Sequence, residues 1–324
     1  MRNGKPTLVS LFSGCGGSSL GYKRAGFREL LAVDFDKKAA ETFKLNFPDI
    51  PCWRRDIRET TGKEIMEFCG IKKGELDLLD ASPPCQGFST AGKMKVVDGR
   101  NDLFLEFARL IRELKPRAFL MENVSGLLVG RMKGKFVEIM EMLKSLPYRV
   151  KCKLMNAMYY DVPQSRPRLI WIGTRRDLKR DPEYPVPNNR CPTVRMALKD
   201  CPDEVKVRPK GKAGELTPKI RPYRDGSDMI PDSYFNLKRL AWDRPSRTIT
   251  HRMRMYLSGH IHPDEDRFLT IAELKRPSTF PDDFQLVGNF EQKWGLIGNS
   301  VPPKFMEAIA RTIKERILCH VPTS

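Results

Sequence analysis

The sequence predicts an α/β fold that carries a smaller, loop-rich second unit. Three observations lead there. Short apolar runs alternate with amphipathic stretches through the first half of the 324 residues, the pattern of helices packed on a sheet. The first apolar run ends in a glycine-rich turn, LFSGCGGSSLG at 11–21. From about residue 175 to 265 the text turns irregular, with prolines, arginines and glycines scattered through KVRPKGKAGELTPKIRPYRDG and no repeat.

Taken in order, TLVSLF (7–12), LLAVDF (30–35), LDLLDAS (76–82) and AFLMENV (118–124) read as buried strands. Between them DLFLEFARLIREL (102–114) reads as a helix that starts after Asn101 and stops before Pro116. YRVKCKLM (148–155) and RLIWIGT (168–174) read as a further pair of strands closing the sheet. PPKFMEAIARTIKERIL (302–318) sets Phe305, Ile309, Ile313 and Ile317 on one stripe, so it reads as a late helix that packs back on the first domain.

Composition narrows the function. A net charge of +18 points to a polyanionic partner. Between Thr174 and Leu240 stand 16 basic and 10 acidic residues, against 17 and 13 in the longer span of the first 100. The opening residues run straight into a strand and are not a signal peptide. No apolar run approaches the roughly 20 residues that cross a bilayer. Eight cysteines without CxxC spacing read as reduced thiols of a cytosolic protein. His260 and His262 lack a clustered partner set, so no metal is expected.

The residues that carry chemistry gather on predicted strand ends. Gly14, Gly16 and Gly17 let backbone approach a nucleotide-like ligand after the first strand. The turn falls short of a full GxGxxG, because Ser19 stands where the third glycine would be. Asp34 ends the next strand about 20 residues later, where a carboxylate accepts from ribose hydroxyls, and Asp56 follows on the same edge. ASPPCQGFS (81–89) places Cys85 after two prolines and before Gly87. Prolines stiffen the approach and aim the thiol, while Gly87 lets the following loop swing. Glu122 and Asn123 emerge on the neighbouring strand. An isolated cysteine is usually inert packing, but a thiolate beside a polar crevice is a strong nucleophile. Gln164, Arg166 and Arg168 are spaced by two, so in extended chain they share a face suited to gripping an anion or a carbonyl.

In order, FSGCGG, ASPPCQGFS, MENV, QSRPRLIWIG and GNSVPP (298–303) resemble the motifs of the DNA cytosine-5 methyltransferases. The resemblance runs from about residue 7 to the C-terminus, apart from the variable region 175–265. It implies a Rossmann-like S-adenosylmethionine-dependent methyltransferase sheet with a smaller target-recognition domain. The implied limits are 1–180 for the catalytic domain, completed by 296–324, then 181–270 for recognition and 271–295 for a bracing element. Cys85 would add to carbon 6 of cytosine and Glu122 would contact N3 and the amino group. Arg168 would meet the base carbonyl, with Arg166, Gln164 and Asn123 in support. S-adenosylmethionine would lie against Phe12, Gly14, Gly16, Asp34, Phe35, Asp56, Ile57, Pro84, Leu103, Asn299 and Ser300, with no metal. The implied partner is double-stranded DNA, with the target base flipped out of the duplex. The compact chain resembles a prokaryotic modification enzyme: cytoplasmic, monomeric, and paired with a restriction endonuclease encoded nearby that it need not touch.

Other readings stay open at this stage. The same chemistry acts on tRNA in some relatives, and phosphates look alike from a sequence. A non-catalytic nucleic-acid binder would not need Cys85, Glu122, Arg166 and Arg168, and a nicotinamide oxidoreductase would leave Pro-Cys-Gln unused. The late element IAELKRPSTFP (271–281) departs from the family's Arg-Glu-x-Ala-Arg helix and the Leu-Gln after it. Ala272 replaces the arginine, Lys275 the alanine, and Pro277-Ser278 the Leu-Gln. Glu273 and Arg276 remain, spaced to pair on a helix that Pro277 should end early.

Overall fold

The computed structural model describes residues 4–84, 103–220 and 236–318. The chain divides into two compact units: 1–155 with 167–186 and 306–324, and 156–166 with 187–305.

The first unit is built on seven strands, β1 (Thr7–Leu11), β2 (Arg28–Asp34), β3 (Cys52–Arg54), β4 (Leu78–Ala81), β5 (Ala118–Val124), β6 (Tyr148–Asn156) and, after a short β7 (Gln164–Ser165) of the second unit, β8 (Pro167–Arg175). Their order is β3-β2-β1-β4-β5-β8-β6. The first five are parallel, and β8 runs antiparallel to β5. This is the α/β sheet that the alternating runs predict. β1, β4 and β5 read as continuous apolar text because both faces of a parallel sheet are covered.

The covering helices are α1 (Gly17–Arg24), α2 (Lys37–Asn46), α3 (Gly62–Cys69), α4 (Leu103–Leu114) and α5 (Lys133–Lys144). The starts of α2 and α3 have a local cause. Asp36 accepts from the Ala39 amide ahead of α2, and Thr61 and Glu64 close a capping box on α3. α4 buries Phe104, Phe107, Leu110, Ile111 and Leu114, and Phe107 meets Phe119 of β5 edge to face at 5.8 Å. A Cβ at Gly173 of β8 would lie 2.1 Å from the Phe119 ring, so only glycine fits there. The predicted late helix is α10 (Pro303–Thr312), run on by a π-helical turn (Ile313–Leu318). Its Ile309, Ile313 and Ile317 are fully buried, and Lys314 donates to the carbonyl of Ala25 after α1.

The second unit has little sheet among its described residues. β7 pairs with β10 (Ser246–Arg247), and β9 (Asn236–Arg239) with β11 (Ser258–Ile261), both in parallel. Among the described residues the helices α6 (Val194–Leu198), α7 (Gly211–Leu216), α8 (Ile271–Lys275) and α9 (Phe290–Asn299) accompany them. With short ladders, main-chain carbonyls need other donors, and buried arginines supply them. Arg239 donates to the carbonyls of Thr217, Ile220, His262 and Glu265 and to the Asp266 carboxylate. Among the described residues no helix is long and apolar enough to cross a membrane.

Candidate active site

The parallel order β3-β2-β1-β4 brings the carboxyl ends of four strands to one edge, and the residues predicted for a cofactor follow those ends. Phe12 leaves β1 at φ +56°, a left-handed conformation that costs a non-glycine residue and tends to mark functional sites. Gly16 begins α1 at φ +98°, where a Cβ would meet the Phe47 ring at 2.3 Å. Asp34, at the end of β2, takes the Gly14 amide on one oxygen at 2.7 Å and the Asp36 amide on the other at 2.8 Å. Burial pushes its carboxyl up to about 6 despite those amides. Beside it Phe35 is 70% exposed, an apolar ring face open to a ligand. Asp56 accepts from the Arg58 amide at 2.9 Å and starts the short turn at Ile57, which is buried. Pro84 follows β4, and Leu103 opens α4, buried.

This edge fits an adenosyl ligand. The backbone near Gly14 has open space around it, a carboxylate is fixed by two amides, and an aromatic face stands free next to it. Asn299 and Ser300 belong to the second unit, where they end α9 and the Ser300 hydroxyl donates to the Leu296 carbonyl at 2.9 Å.

Cys85 and Gly87 lie outside the described residues. What leads to them is described. The Asn123 side-chain amide, at the end of β5, donates to the Pro83 carbonyl at 2.8 Å, and its oxygen accepts from the Val124 amide. Next to it Glu122 and Arg168 form an ion pair, Nε to Oε1 at 2.7 Å, with side chains only 10% and 9% exposed. The antiparallel register sets Glu122 opposite Ile170 and Val124 opposite Arg168, so the pair closes diagonally between β5 and β8. Burial lowers the Arg168 pKa and the Glu122 charge opposes that fall. A buried acid fixed by a guanidinium, on the strand beside the approach to a thiol, can hold the polar edge of a ring substrate.

Gln164 and Arg166 are side chains of the second unit. Arg166 grips carbonyls, but they are the protein's own: Ile249 at 2.7 Å and Gly298 at 2.8 Å, with the Gln164 side-chain oxygen at 3.4 Å. That Gln164 oxygen also accepts from the Ile249 amide, and its amide donates to Ser278 Oγ at 3.2 Å. The anion-gripping role that their spacing suggests gives way to bracing, because short strands leave carbonyls to satisfy. The expected Glu273–Arg276 pair is likewise corrected. Glu273 is bound by both terminal nitrogens of Arg267, at 2.7 and 2.9 Å. Arg276 turns to Asp282 at 2.6 Å and to the carbonyls of Lys199 and Asp200. The helix does stop at Lys275, ahead of Pro277. Sequence reasoning missed Arg239 and Arg267, and also Asp80, whose signal was an acid inside the apolar run LDLLDAS.

Residues 7–315 match the sequence profile of the family described as C-5 cytosine-specific DNA methylase. The chain is 33% identical over 334 residues to the Type II methyltransferase M1.HphI of Haemophilus parahaemolyticus, covering 95% of this chain and 86% of that protein. It is 37% identical over 333 residues to the Type II methyltransferase M.PspPI of a Psychrobacter species, covering 95% and 78%. A crystal structure described as a DNA modification methyltransferase encoded within an E. coli prophage superposes with a TM-score of 0.79 at 26% identity, covering 96% of this chain and 99% of that one.

Proposed function

The chain belongs to the C-5 cytosine-specific DNA methylases, and from that premise we propose that it methylates carbon 5 of a cytosine within a specific duplex DNA sequence, using S-adenosylmethionine. Carbon 5 of cytosine is too weak a nucleophile to take a methyl group unaided. Cys85, as thiolate, adds to carbon 6 and makes carbon 5 enamine-like. Glu122 meets N3 and the amino group and offsets the charge that addition creates, while Arg168 fixes the acid and faces the base carbonyl. S-adenosylmethionine, when bound, supplies the electrophilic methyl. Asp34 then takes the ribose hydroxyls, Phe12 and Phe35 flank the adenine, and Asp56 with Ile57 meets its edge. Pro84 and Leu103 complete the pocket on that edge, and the GNSVPP motif assigns Asn299 and Ser300 to the cofactor as well. Once carbon 5 is methylated, loss of its proton and departure of the Cys85 thiolate restore the ring.

The observation that carries this reading is the buried Glu122–Arg168 pair beside the Asn123-held approach to Cys85. Gln164 and Arg166 support the site by bracing backbone. We assign reading of the target sequence to residues 181–270 and bracing to 271–295; the target base itself leaves the duplex to meet Cys85, Glu122 and Arg168. The relatives named Type II methyltransferases support a modification role, and we propose that the enzyme is cytoplasmic and monomeric, with a restriction endonuclease that acts separately. They, and the family, favour DNA over tRNA.

The test supplies methyl-labelled S-adenosylmethionine with long duplex DNA and, in parallel, with total tRNA, using wild type and Cys85→Ala. Label on cytosine carbon 5 of DNA, absent with the variant, is expected. Label on tRNA alone overturns the substrate, and transfer that survives Cys85→Ala overturns the mechanism.

A further inference from the structure

The buried arginines Arg166, Arg239 and Arg267 of the second unit are engaged by the protein's own carbonyls and carboxylates. Arg252 and Arg254 are not. Both are exposed, and among the described residues neither guanidinium donates a hydrogen bond or forms an ion pair. They stand in a stretch whose exposure alternates: Arg252, Arg254 and Tyr256 face out, Met253 is buried and Met255 half-buried. A period of two is extended chain with one face covered. The turn that follows is closed by its own backbone. The Arg254 amide donates to the Ser258 carbonyl at 3.1 Å, and the amides of Leu257 and Ser258 donate back to the Arg254 carbonyl at 2.9 and 3.0 Å. Met253 anchors it from beneath, 5% exposed. β11 then runs so close to Phe268 that a Cβ at Gly259 would meet that ring at 2.5 Å.

A second segment lies alongside this turn. The Lys210 amide donates to the Met255 carbonyl at 2.9 Å. Gly211, at φ +55°, leads the chain into α7, and a Cβ there would stand 3.6 Å from the Tyr256 ring. The ring therefore rests against that glycine with its outer side open. Arg208, Lys210 and Lys212 are exposed on this segment and, like the two arginines, have no acid partner among the described residues. Glu215 of α7 is exposed beside them, and the Glu291 carboxylate reaches the turn, accepting from the Met255 amide at 3.4 Å. Cations still dominate the two segments, with the arginines on the turn and the lysines set back on its flank.

Arginine and lysine suit different parts of a duplex. A guanidinium presents two parallel donors that match O6 and N7 of guanine in the major groove, whereas an ammonium is a point charge suited to phosphate. Arginines on alternate residues of extended chain start about 6.5 Å apart, roughly two base-pair steps of about 3.4 Å. The major groove, about 12 Å wide, admits a two-stranded turn of this kind. We propose that Arg252 and Arg254 are specificity-determining residues, each reading a guanine of the target sequence in the major groove, while Arg208, Lys210 and Lys212 hold the phosphates beside it. The inference rests on the reading of the chain as a duplex-DNA methylase, and it adds that the target sequence carries guanines close together. Because the turn is held by its own hydrogen bonds, little of the contact energy is lost to ordering it on the DNA.

The experiment uses the full chain and reads two things: the cytosines methylated in long duplex DNA, and the duplexes retained from a random-sequence pool. It compares wild type with Arg252→Ala, Arg254→Ala, Arg254→Lys, and Lys210→Ala combined with Lys212→Ala. Neither arginine has an internal partner, so their variants should melt within about 2 °C of wild type. Each alanine variant should accept any base at one position where wild type requires guanine, with kcat/KM on the original site down roughly 5- to 150-fold. Arg254→Lys keeps the charge but loses the fork, so it should relax the same position as Arg254→Ala. The lysine double variant should weaken all sequences alike, keep the guanine preference, and lower the log–log salt slope by about two. A wild-type site without guanine overturns the proposal, and so do arginine variants whose base preferences match those of wild type. Guanine-bearing duplexes that wild type retains and the arginine variants no longer select, with no methyl transferred to DNA, uphold the two arginines and overturn the methylation reading instead. Neither transfer nor any duplex preference overturns both.

Discussion

The Asn123 side-chain amide donates to the Pro83 carbonyl at 2.8 Å, so the end of β5 holds the backbone two residues ahead of Cys85. Both groups are buried. Asn123→Ala leaves that carbonyl without its donor, which costs about 1–3 kcal/mol of stability. It also frees the approach to the thiol, and displacement of a reacting group by about 1 Å can cost roughly 100-fold in rate. The expected outcome is turnover down about ten- to 100-fold with S-adenosylmethionine affinity within about twofold of wild type, because Asn123 is not placed among the cofactor's contacts. Calorimetric binding beside a label-transfer assay checks the split.

Glu122 and Arg168 separate stability from chemistry. Arg168→Ala leaves a buried carboxylate without its cation, a change that typically costs about 3–5 kcal/mol. Glu122→Gln keeps the size and a hydrogen bond to Arg168 but cannot hold a proton at N3, so turnover should fall by roughly 100- to 10,000-fold with a smaller loss of stability. Thermal melts of the two variants, set beside their label transfer, should show the opposite ranking to one expected if both residues merely packed the sheet.

Asp34 predicts an acid limit on cofactor binding. Burial raises its carboxyl to about 6 against the two amides that bind it. The folded protein therefore holds an excess proton between the unfolded value near 4 and about 6, and ribose hydroxyls favour the ionised form. S-adenosylmethionine affinity should be full above pH 6 and fall as pH drops through it. Asp34→Asn should bind weakly and lose that pH dependence; a variant whose affinity keeps the same acid slope would assign the limit elsewhere.

The parts of the fold that were legible share a cause. β1, β4, β5 and α4 are written in apolar text because they are buried over several residues, and a buried run of that length has few other uses. β7, β9, β10 and β11 are two to four residues long and hold together through buried arginines on carbonyls, which leave no period in the sequence. Asp34 was visible because it stands a fixed distance past a glycine turn. The spacing of Gln164, Arg166 and Arg168 suggests a face that grips an anion or a carbonyl, and for Arg166 the carbonyls come from Ile249 and Gly298, more than 80 positions away.

The second unit offers a direct test of one corrected pairing. Helical spacing suggests Glu273 with Arg276, but Glu273 is clasped in two places by Arg267, and both are buried. Burial pushes the Glu273 carboxyl up, yet the Arg267 guanidinium and the Thr270 amide outweigh it and hold it below its ordinary value. A depressed carboxyl stabilises the fold above its unfolded pKa, and that contribution is lost as pH falls through the folded one. Glu273→Ala leaves the buried Arg267 with the Glu265 carboxylate and the Phe268 carbonyl alone and should cost about 1–3 kcal/mol, read as faster hydrogen exchange in residues 236–280 and a weaker acid dependence there. Arg276 is partly exposed on Asp282, so Arg276→Ala should cost within about 1 kcal/mol. Equal losses from the two variants would restore the helical pair and remove Arg267 as the anchor of α8.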